Sequence, residues 1–331
     1  MRALIHHGPP GLAGVQVAEV PDPIAGPGEV KVQLKYAGLN HRDLLQVEKR
    51  TPTDPSVVLG SDGMGLIAAV GEGVTGFSVG DEVIINPSLG WLQKSDAPPK
   101  EFQILGIPRD GTFAQAIVVP AANVAPKPSY LSDEEAGVLA LAALTAYRAL
   151  FTRGNLQAGQ TVVIPGAGGG AATFLLMMAK AAGAKVVVTS RHAAKRAKSL
   201  ELGADLALDS AADWQQELGG QIADLVIESV GPATFAKSLS VLRPGGTVVT
   251  FGATTGDEVS FNLRSFFYGQ FNLKGTTMGS AEELREMLAF IERHQLHPVM
   301  DEVFLLTEGR KALARMDEGE QLGKIALRME A

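Results

Sequence analysis

The sequence predicts an α/β chain of two domains, one β-rich and one a doubly wound parallel sheet. Three observations predict it. Up to about Asn123 the text is short, β-like and punctuated by Gly and Pro, whereas from Ser132 strand-like and helix-like segments alternate. A glycine-rich turn, Gly166-Ala167-Gly168-Gly169-Gly170, sits between the first strand of that alternation and its helix. At roughly 100–200 residues per domain, 331 residues make two.

Taken in order, residues 29–34, 65–70 and 82–85 read as strands, each flanked by turn residues. Residues 86–111 have little periodicity and read as a long lobe. Ser132-Asp133-Glu134-Glu135 has the form of a capping box, with acids in the first turn of an Ala- and Leu-rich helical run that reaches about Phe151. Strands are expected at 161–165, 185–190, 206–208, 223–228, 247–252 and 272–277. Between most of them lie helix-length segments, at 171–182, 192–202, 233–242 and 281–294, and Gly183 and Gly203 stand where helix C-caps belong. Six strands alternating with helices mean a parallel sheet with crossover helices. After His297 the alternation stops, and residues 303–306, 308–318 and 324–328 suit a return to the first domain. The expected domains are 1–123 with 297–331, and 124–296.

Composition excludes several classes of function. A hydrophobic share of 46% and a charged share of 20% describe a packed globular chain. With 29 Lys and Arg against 36 Asp and Glu, the net charge of -7 argues against a general nucleic-acid binder. No apolar run is long enough to span a bilayer, since 174–188 is broken by Lys180 and Lys185. The first residues lack the apolar core and cleavage site of a secretory signal, which favours the cytoplasm. The chain has no cysteine, so disulfides, thiolate nucleophiles, iron–sulfur clusters and Cys-ligated zinc are ruled out.

The glycine turn carries most of the functional argument. Glycines permit a tight turn and close approach of a pyrophosphate, and the helix that follows offers unpaired N–H groups and the positive end of its dipole. Gly166, Ala167, Gly168, Gly169, Gly170 and Ala171 are therefore expected to hold a dinucleotide, as in a Rossmann domain. The next strand says which one. An NAD site usually places an acid at its end, on the ribose 2′-hydroxyl. Here no acid occurs between Glu135 and Glu201, and the strand ends Thr189-Ser190-Arg191-His192, with Lys195 following. A hydroxyl and clustered cations suit a 2′-phosphate, so Ser190, Arg191 and Lys195 predict NADP(H), while Lys198 and Arg196 read as the coat of an exposed helix.

With these motifs in hand, the sequence resembles the medium-chain dehydrogenase/reductase superfamily, and within it the zinc-free quinone-oxidoreductase-like branch. The markers run through nearly the whole chain: Pro27-Gly28-Glu29-Val30, Asn40-His41-Arg42-Asp43, Leu59-Gly60-Ser61-Asp62-Gly63, Val79-Gly80-Asp81-Glu82-Val83, the glycine turn, Leu242-Arg243-Pro244-Gly245-Gly246 and Gly275-Thr276-Thr277-Met278-Gly279. The resemblance implies a GroES-like catalytic domain from the N-terminal portion and the tail, a Rossmann domain inserted in it, an active site between the two, and a homodimer. It also exposes a departure. Where zinc-dependent relatives carry Cys, His and Cys as catalytic ligands, this chain has Asn40, Ser61 and Leu141, with Asp62 after the second, and the lobe at 86–111 has no thiolates for a structural zinc. Without a Lewis acid, alcohol oxidation loses its usual activation, whereas hydride transfer from NADPH to a quinone or an α,β-unsaturated carbonyl needs only hydrogen bonds and a proton.

Carried over residue by residue, the resemblance puts Asn40 against a substrate oxygen or the nicotinamide ribose, Thr145 against the nicotinamide, and His41 near the pyrophosphate. Val230, Gly252, Thr276 and Met278 match positions lining the nicotinamide. Arg42 is either an enolate-stabilising cation or an ion-pair partner, and Asp43 orients Asn40 or Arg42 rather than acting as an acid. Lys324 is either a ligand of the cofactor phosphates or simply an exposed lysine. Phe266, Phe267, Tyr268 and Phe271 belong to the pocket or, as the readier reading, to core and interface packing. The rival functions are an alcohol dehydrogenase without the usual zinc ligands and a non-catalytic NADPH-binding sensor.

Overall fold

A computed structural model describes residues 1–330. The chain forms two compact units, Met1–Leu144 together with the chain from Gly279 onward, and Thr145–Met278. The passage from one to the other falls inside the helix Ala140–Tyr147.

The first unit is the GroES-like one. Its main sheet runs in the order Val124–Pro126, Glu82–Ile85, Met64–Val70, Glu29–Gly38, Lys324–Arg328, Met300–Leu305, with Ala116–Pro120 also paired to Glu29–Gly38. Glu29–Gly38 earns its central place by alternation: Val30, Val32 and Leu34 are buried while Gln33 between them faces out. The tail strand pairs antiparallel with it, Ala326 opposite Gly38 and Arg328 opposite Tyr36. Both ends of the chain therefore share one core, in which Leu4, Leu59, Phe113, Leu313 and Ile325 pack together.

By their contacts, residues 124–144 and 279–296 group with this first unit. The reason lies in their pairing. Val124–Pro126 adds to the edge of Glu82–Ile85, and Lys127 reaches both Glu82 and Asp133. The helix Ala281–Arg293 starts with its first N–H groups on the carbonyls of Trp91 and Leu92, and its far end meets the Tyr130 hydroxyl.

The second unit is a parallel Rossmann sheet. Its strands are β1 (Thr161–Pro165), β2 (Lys185–Ser190), β3 (Leu206–Asp209), β4 (Ala223–Glu228), β5 (Leu242–Thr250) and β6 (Asn272–Gly275). They lie in the order β3-β2-β1-β4-β5-β6, which reverses direction between β1 and β4. Ligands of doubly wound sheets bind at such a switch point. Val162, Val163 and Ile164 of β1 are all buried, as a central parallel strand covered on both faces requires. Helices α1 (Gly170–Ala181), α2 (Ala193–Glu201) and α3 (Pro232–Ser240) follow β1, β2 and β4. β5 begins earlier than expected and stops at Thr250, so Gly252 lies beyond its end; β6 likewise stops before Thr276.

Candidate active site

In the first unit the chain leaves the strand Glu29–Gly38 through Leu39 and enters the helix His41–Glu48, with Asn40 as its N-cap residue. Asn40 meets the turn at Gly60–Gly63. Gly60 has φ +93, and the Phe113 ring occupies the space a Cβ would need. Gly38 is required for a different reason, since a Cβ there would meet the backbone of Val138 at 2.7 Å and the Asp62 carboxylate at 3.1 Å.

These constraints close a buried polar network. Asp62 is fully buried; its Oδ1 accepts the Leu141 N–H at 2.6 Å, and its Oδ2 accepts from Asn40 Nδ2 at 3.0 Å and from Lys324 Nζ at 3.2 Å. Lys324 is 3% exposed, not the solvated lysine of one sequence reading. Its ammonium also donates to the Leu39 carbonyl at 2.7 Å and to Asn40 Oδ1 at 2.6 Å, so its three protons all have acceptors. The sheet register explains the meeting: continuing the pairing of Ala326 with Gly38 by two residues sets Lys324 opposite Asn40. Burial of the Lys324–Asp62 pair is tolerable because each charge is neutralised and hydrogen-bonded by the other and by neighbouring groups.

Beside it, Arg42 Nη1 donates to Ser61 Oγ at 2.8 Å and to the Leu105 carbonyl at 2.9 Å, and Ser61 Oγ donates to the same carbonyl at 2.9 Å. Nε and Nη2 of Arg42 have no hydrogen-bond partner among the described residues. Burial holds the Arg42 guanidinium below its ordinary pKa. Asp43 accepts the Asn40 backbone N–H at 2.9 Å and lies 3.9 Å from Arg42. Its burial pushes its pKa up to about 6, against the opposing pull of Arg42, the Asn40 N–H and Lys324. His41, the first residue of the same helix, is exposed.

The residues at the matching metal-ligand positions do not fit zinc. Asn40 and Ser61 are hydrogen-bonded within the protein, a leucine side chain has no donor atom for a metal, and a lysine ammonium bonds both Asn40 and Asp62. Among the described residues, no group of three or more His, Asp or Glu side chains is arranged to hold a metal ion.

In the second unit the glycine turn joins β1 to α1. Gly166 and Gly168 have φ of +78 and +105, and a Cβ on Gly168 would meet the Lys195 stem at 2.5 Å. Gly169 caps α1, and a Cβ there would meet nothing within 4 Å. The turn is open at Gly169, in front of a twelve-residue helix whose N-terminus suits a pyrophosphate. At the end of β2, Ser190 is buried and its Oγ accepts the His192 N–H at 3.2 Å, while Arg191 is exposed. Arg196 is committed elsewhere, to the Ser190 carbonyl at 2.7 Å and Asp209 at 2.9 Å, and Lys198 pairs with Glu201. Of the expected 2′-phosphate residues, Lys195 lies over Gly168, Ser190 ends β2 opposite Asp209 of β3, and Arg191 follows it on the surface.

Across the switch point, Glu228 ends β4 fully buried, a residue sequence reasoning missed. Its carboxylate accepts the N–H groups of Val230 at 2.7 Å and Gly231 at 3.2 Å, and the hydroxyls of Thr234 at 2.9 Å and Ser238 at 2.7 Å. The spacing of Thr234 and Ser238, four apart on one face of α3, was the signal for a buried acceptor. Glu228 thereby fixes the loop that carries Val230, and a Cβ on Gly252 would meet the Ser229 carbonyl in that loop at 2.8 Å. Thr276 donates its N–H to the Thr250 carbonyl at 2.9 Å, Met278 is buried with φ +34, and Thr145 is buried. Phe266 and Phe271 make an edge contact at 6.1 Å, and Phe271 packs on the core of this unit, whereas Phe267 and Tyr268 are exposed.

Comparison with known proteins agrees with both units. Residues 26–129 match the family described as alcohol dehydrogenase GroES-like domain, and residues 170–293 the family described as zinc-binding dehydrogenase. A zinc-type alcohol dehydrogenase-like protein of Schizosaccharomyces pombe is 35% identical over 94% of each chain. A second zinc-type alcohol dehydrogenase-like protein, YogA of Leptosphaeria maculans, is 32% identical over 95% of this chain and 94% of its own. The crystal structure of an NAD-dependent alcohol dehydrogenase superposes with a TM-score of 0.93 at 35% identity, covering 100% of both chains. A 2-octenoyl-CoA carboxylase reductase, CinF, in complex with NADP and 2-octenoyl-CoA, gives 0.90 at 26% identity, over 99% of this chain and 87% of its own. With the two family models matched in this order and a 35% identical relative aligned over 94% of the chain, the chain belongs to the medium-chain dehydrogenase/reductase superfamily of oxidoreductases.

Proposed function

We propose that this oxidoreductase is a zinc-independent, NADPH-dependent reductase acting on a quinone or an α,β-unsaturated carbonyl. The observation that carries the reading is the buried network in which Lys324, Asn40 and Asp62 satisfy one another, Asn40 standing at one of the positions where zinc-dependent relatives hold their metal. Without a metal to activate an alcohol oxygen, reduction of an activated double bond is the easier chemistry. The relative solved with NADP and an enoyl-CoA supports that direction; the NAD-dependent alcohol dehydrogenase relative supports the opposite one.

In this reading Gly166, Ala167, Gly168, Gly169, Gly170 and Ala171 hold the pyrophosphate, with His41 as a further contact, and Ser190, Arg191 and Lys195 take the 2′-phosphate. Thr145, Val230, Gly252, Thr276 and Met278 line the nicotinamide. NADPH, once bound, supplies the hydride. Asn40 and Arg42 hydrogen-bond the oxygen on which negative charge develops, Arg42 through its unused Nε and Nη2 donors. Asp43 holds the Asn40 backbone, and water is the proton source. The exposed edge of the six-stranded sheet suits a homodimer.

The test is to follow NADPH and NADH oxidation with a chelator present, against a panel of quinones and enones. Acceptor-dependent oxidation of NADPH, faster than of NADH, is the expected result. Activity that appears only with added zinc and an alcohol would replace this reading with the alcohol dehydrogenase one. Cofactor binding with no turnover in either direction would leave a sensor.

A further inference from the structure

Lys324 is the one buried lysine among the described residues, and the function proposed above does not use its charge. We infer that Lys324 is a positioning residue that fixes the orientation of the Asn40 amide, holding its oxygen so that its nitrogen is the end presented to a substrate carbonyl or enolate oxygen. This deepens the proposed reductase reading and rests on it.

The argument starts from the Asn40 amide. Its oxygen lies 2.6 Å from the Lys324 ammonium and its nitrogen 3.0 Å from the Asp62 carboxylate. Turning the amide over would set NH2 against an ammonium and a carbonyl oxygen against a carboxylate, so the two charges fix its orientation. The Asn40 oxygen is thereby held on an ammonium, with one of its two acceptor positions taken. One Nδ2 hydrogen goes to Asp62, and the other faces the Gly38 carbonyl at 3.5 Å, at the limit of a hydrogen bond. That bond is the longest in the network, and its hydrogen is the one a substrate oxygen would take over. Lys324 has no donor to spare for a cofactor phosphate, because Leu39, Asn40 and Asp62 already take all three. It acts through Asn40, not on a ligand.

Lys324→Met keeps the length of the side chain and removes the charge. Expected are a fall in kcat of about tenfold to a hundredfold, as for a misplaced oxyanion donor, and a Kd for NADPH, read by cofactor fluorescence, within about twofold of the wild type. Because the variant leaves Asp62 buried without its counter-charge, it is paired with the double variant Lys324→Met/Asp62→Asn, which should recover most of the lost Tm but not the kcat. A tenfold weaker Kd for NADPH in the single variant would make Lys324 a phosphate ligand and overturn the inference. So would a double variant that regains both Tm and kcat, since the pair would then be structural alone. A readout without turnover separates this from failure of the reductase reading. In protein labelled with 15N-asparagine, the Asn40 side-chain amide should shift and exchange faster in Lys324→Met. An unchanged Asn40 resonance would refute the positioning role whatever the enzyme reduces.

Discussion

Arg191 differs from its basic neighbours in having nothing to do within the fold. Arg196 is held by Asp209 and the Ser190 carbonyl, and Lys198 by Glu201, while Arg191 is exposed and makes no ion pair among the described residues. An exposed, unpaired arginine just after the end of β2 suits a 2′-phosphate, because the guanidinium binds a phosphate dianion far more strongly than the neutral 2′-hydroxyl of NADH. Arg191→Asp should therefore weaken NADPH binding by about tenfold or more, a loss in line with a charged hydrogen bond, and change NADH binding by less than about threefold. Titration of both cofactors by fluorescence checks it. Equal weakening of the two would remove Arg191 from the 2′-phosphate and, with it, the main ground for preferring NADPH. Lys195 cannot serve as a substitute test, since its stem also packs over Gly168 and its loss would disturb the turn itself.

At the scale of elements, the loop after β4 depends on one side chain. Glu228 receives two backbone N–H groups and two hydroxyls in a site closed to solvent. Glu228→Gln would turn an NH2 group toward donors it cannot accept from, leaving at least one of them buried and unsatisfied at about 1–3 kcal/mol. A lower Tm together with weaker cofactor binding is expected, as the loop carrying Val230 loosens; a Tm within a degree of the wild type would show that the loop stands without the carboxylate. Glu228 also marks the limit of what the sequence makes legible. The Rossmann strands, their alternation and the glycine turn were readable because period, turn chemistry and helix starts are local. The pairing of Lys324 with Asn40 was not, because it joins residues 284 positions apart through a strand register that no local pattern encodes. The same holds for residues 124–144 and 279–296, whose partners in the first unit are sheet edges and loop carbonyls distant in sequence. Asn40, Ser61 and Leu141 could be named from the resemblance, but not the ammonium that sits among their neighbours.

For the whole molecule, the open question is what covers β6. It pairs only with β5 and ends the sheet as an edge strand, its Gly275 carbonyl accepting from Arg153 Nε. Beside that edge the chain exposes apolar side chains: Leu273 on the strand at 42%, and Leu263, Phe267 and Tyr268 on the short helix Leu263–Tyr268 before it at 68%, 48% and 72%. An uncovered edge with an apolar flank invites pairing with another chain, and natural folds normally block it with charge, proline or a covering element. A second copy of this chain is the occupant we propose. A two-fold axis through the edge would set β6 antiparallel to its copy, and each Leu273 would meet the same surface it presents, as an isologous interface demands. Light scattering at micromolar concentration should then give twice the chain mass of 34.7 kDa. Leu273→Arg combined with Tyr268→Arg should return it to that of a single chain, because two pairs of like charges would be brought face to face in a desolvated contact. The Rossmann core lies on the other side of β5 and should keep its cofactor affinity in the monomer. A wild-type protein that is monomeric at high concentration would leave the edge bare in solution and end the dimer reading.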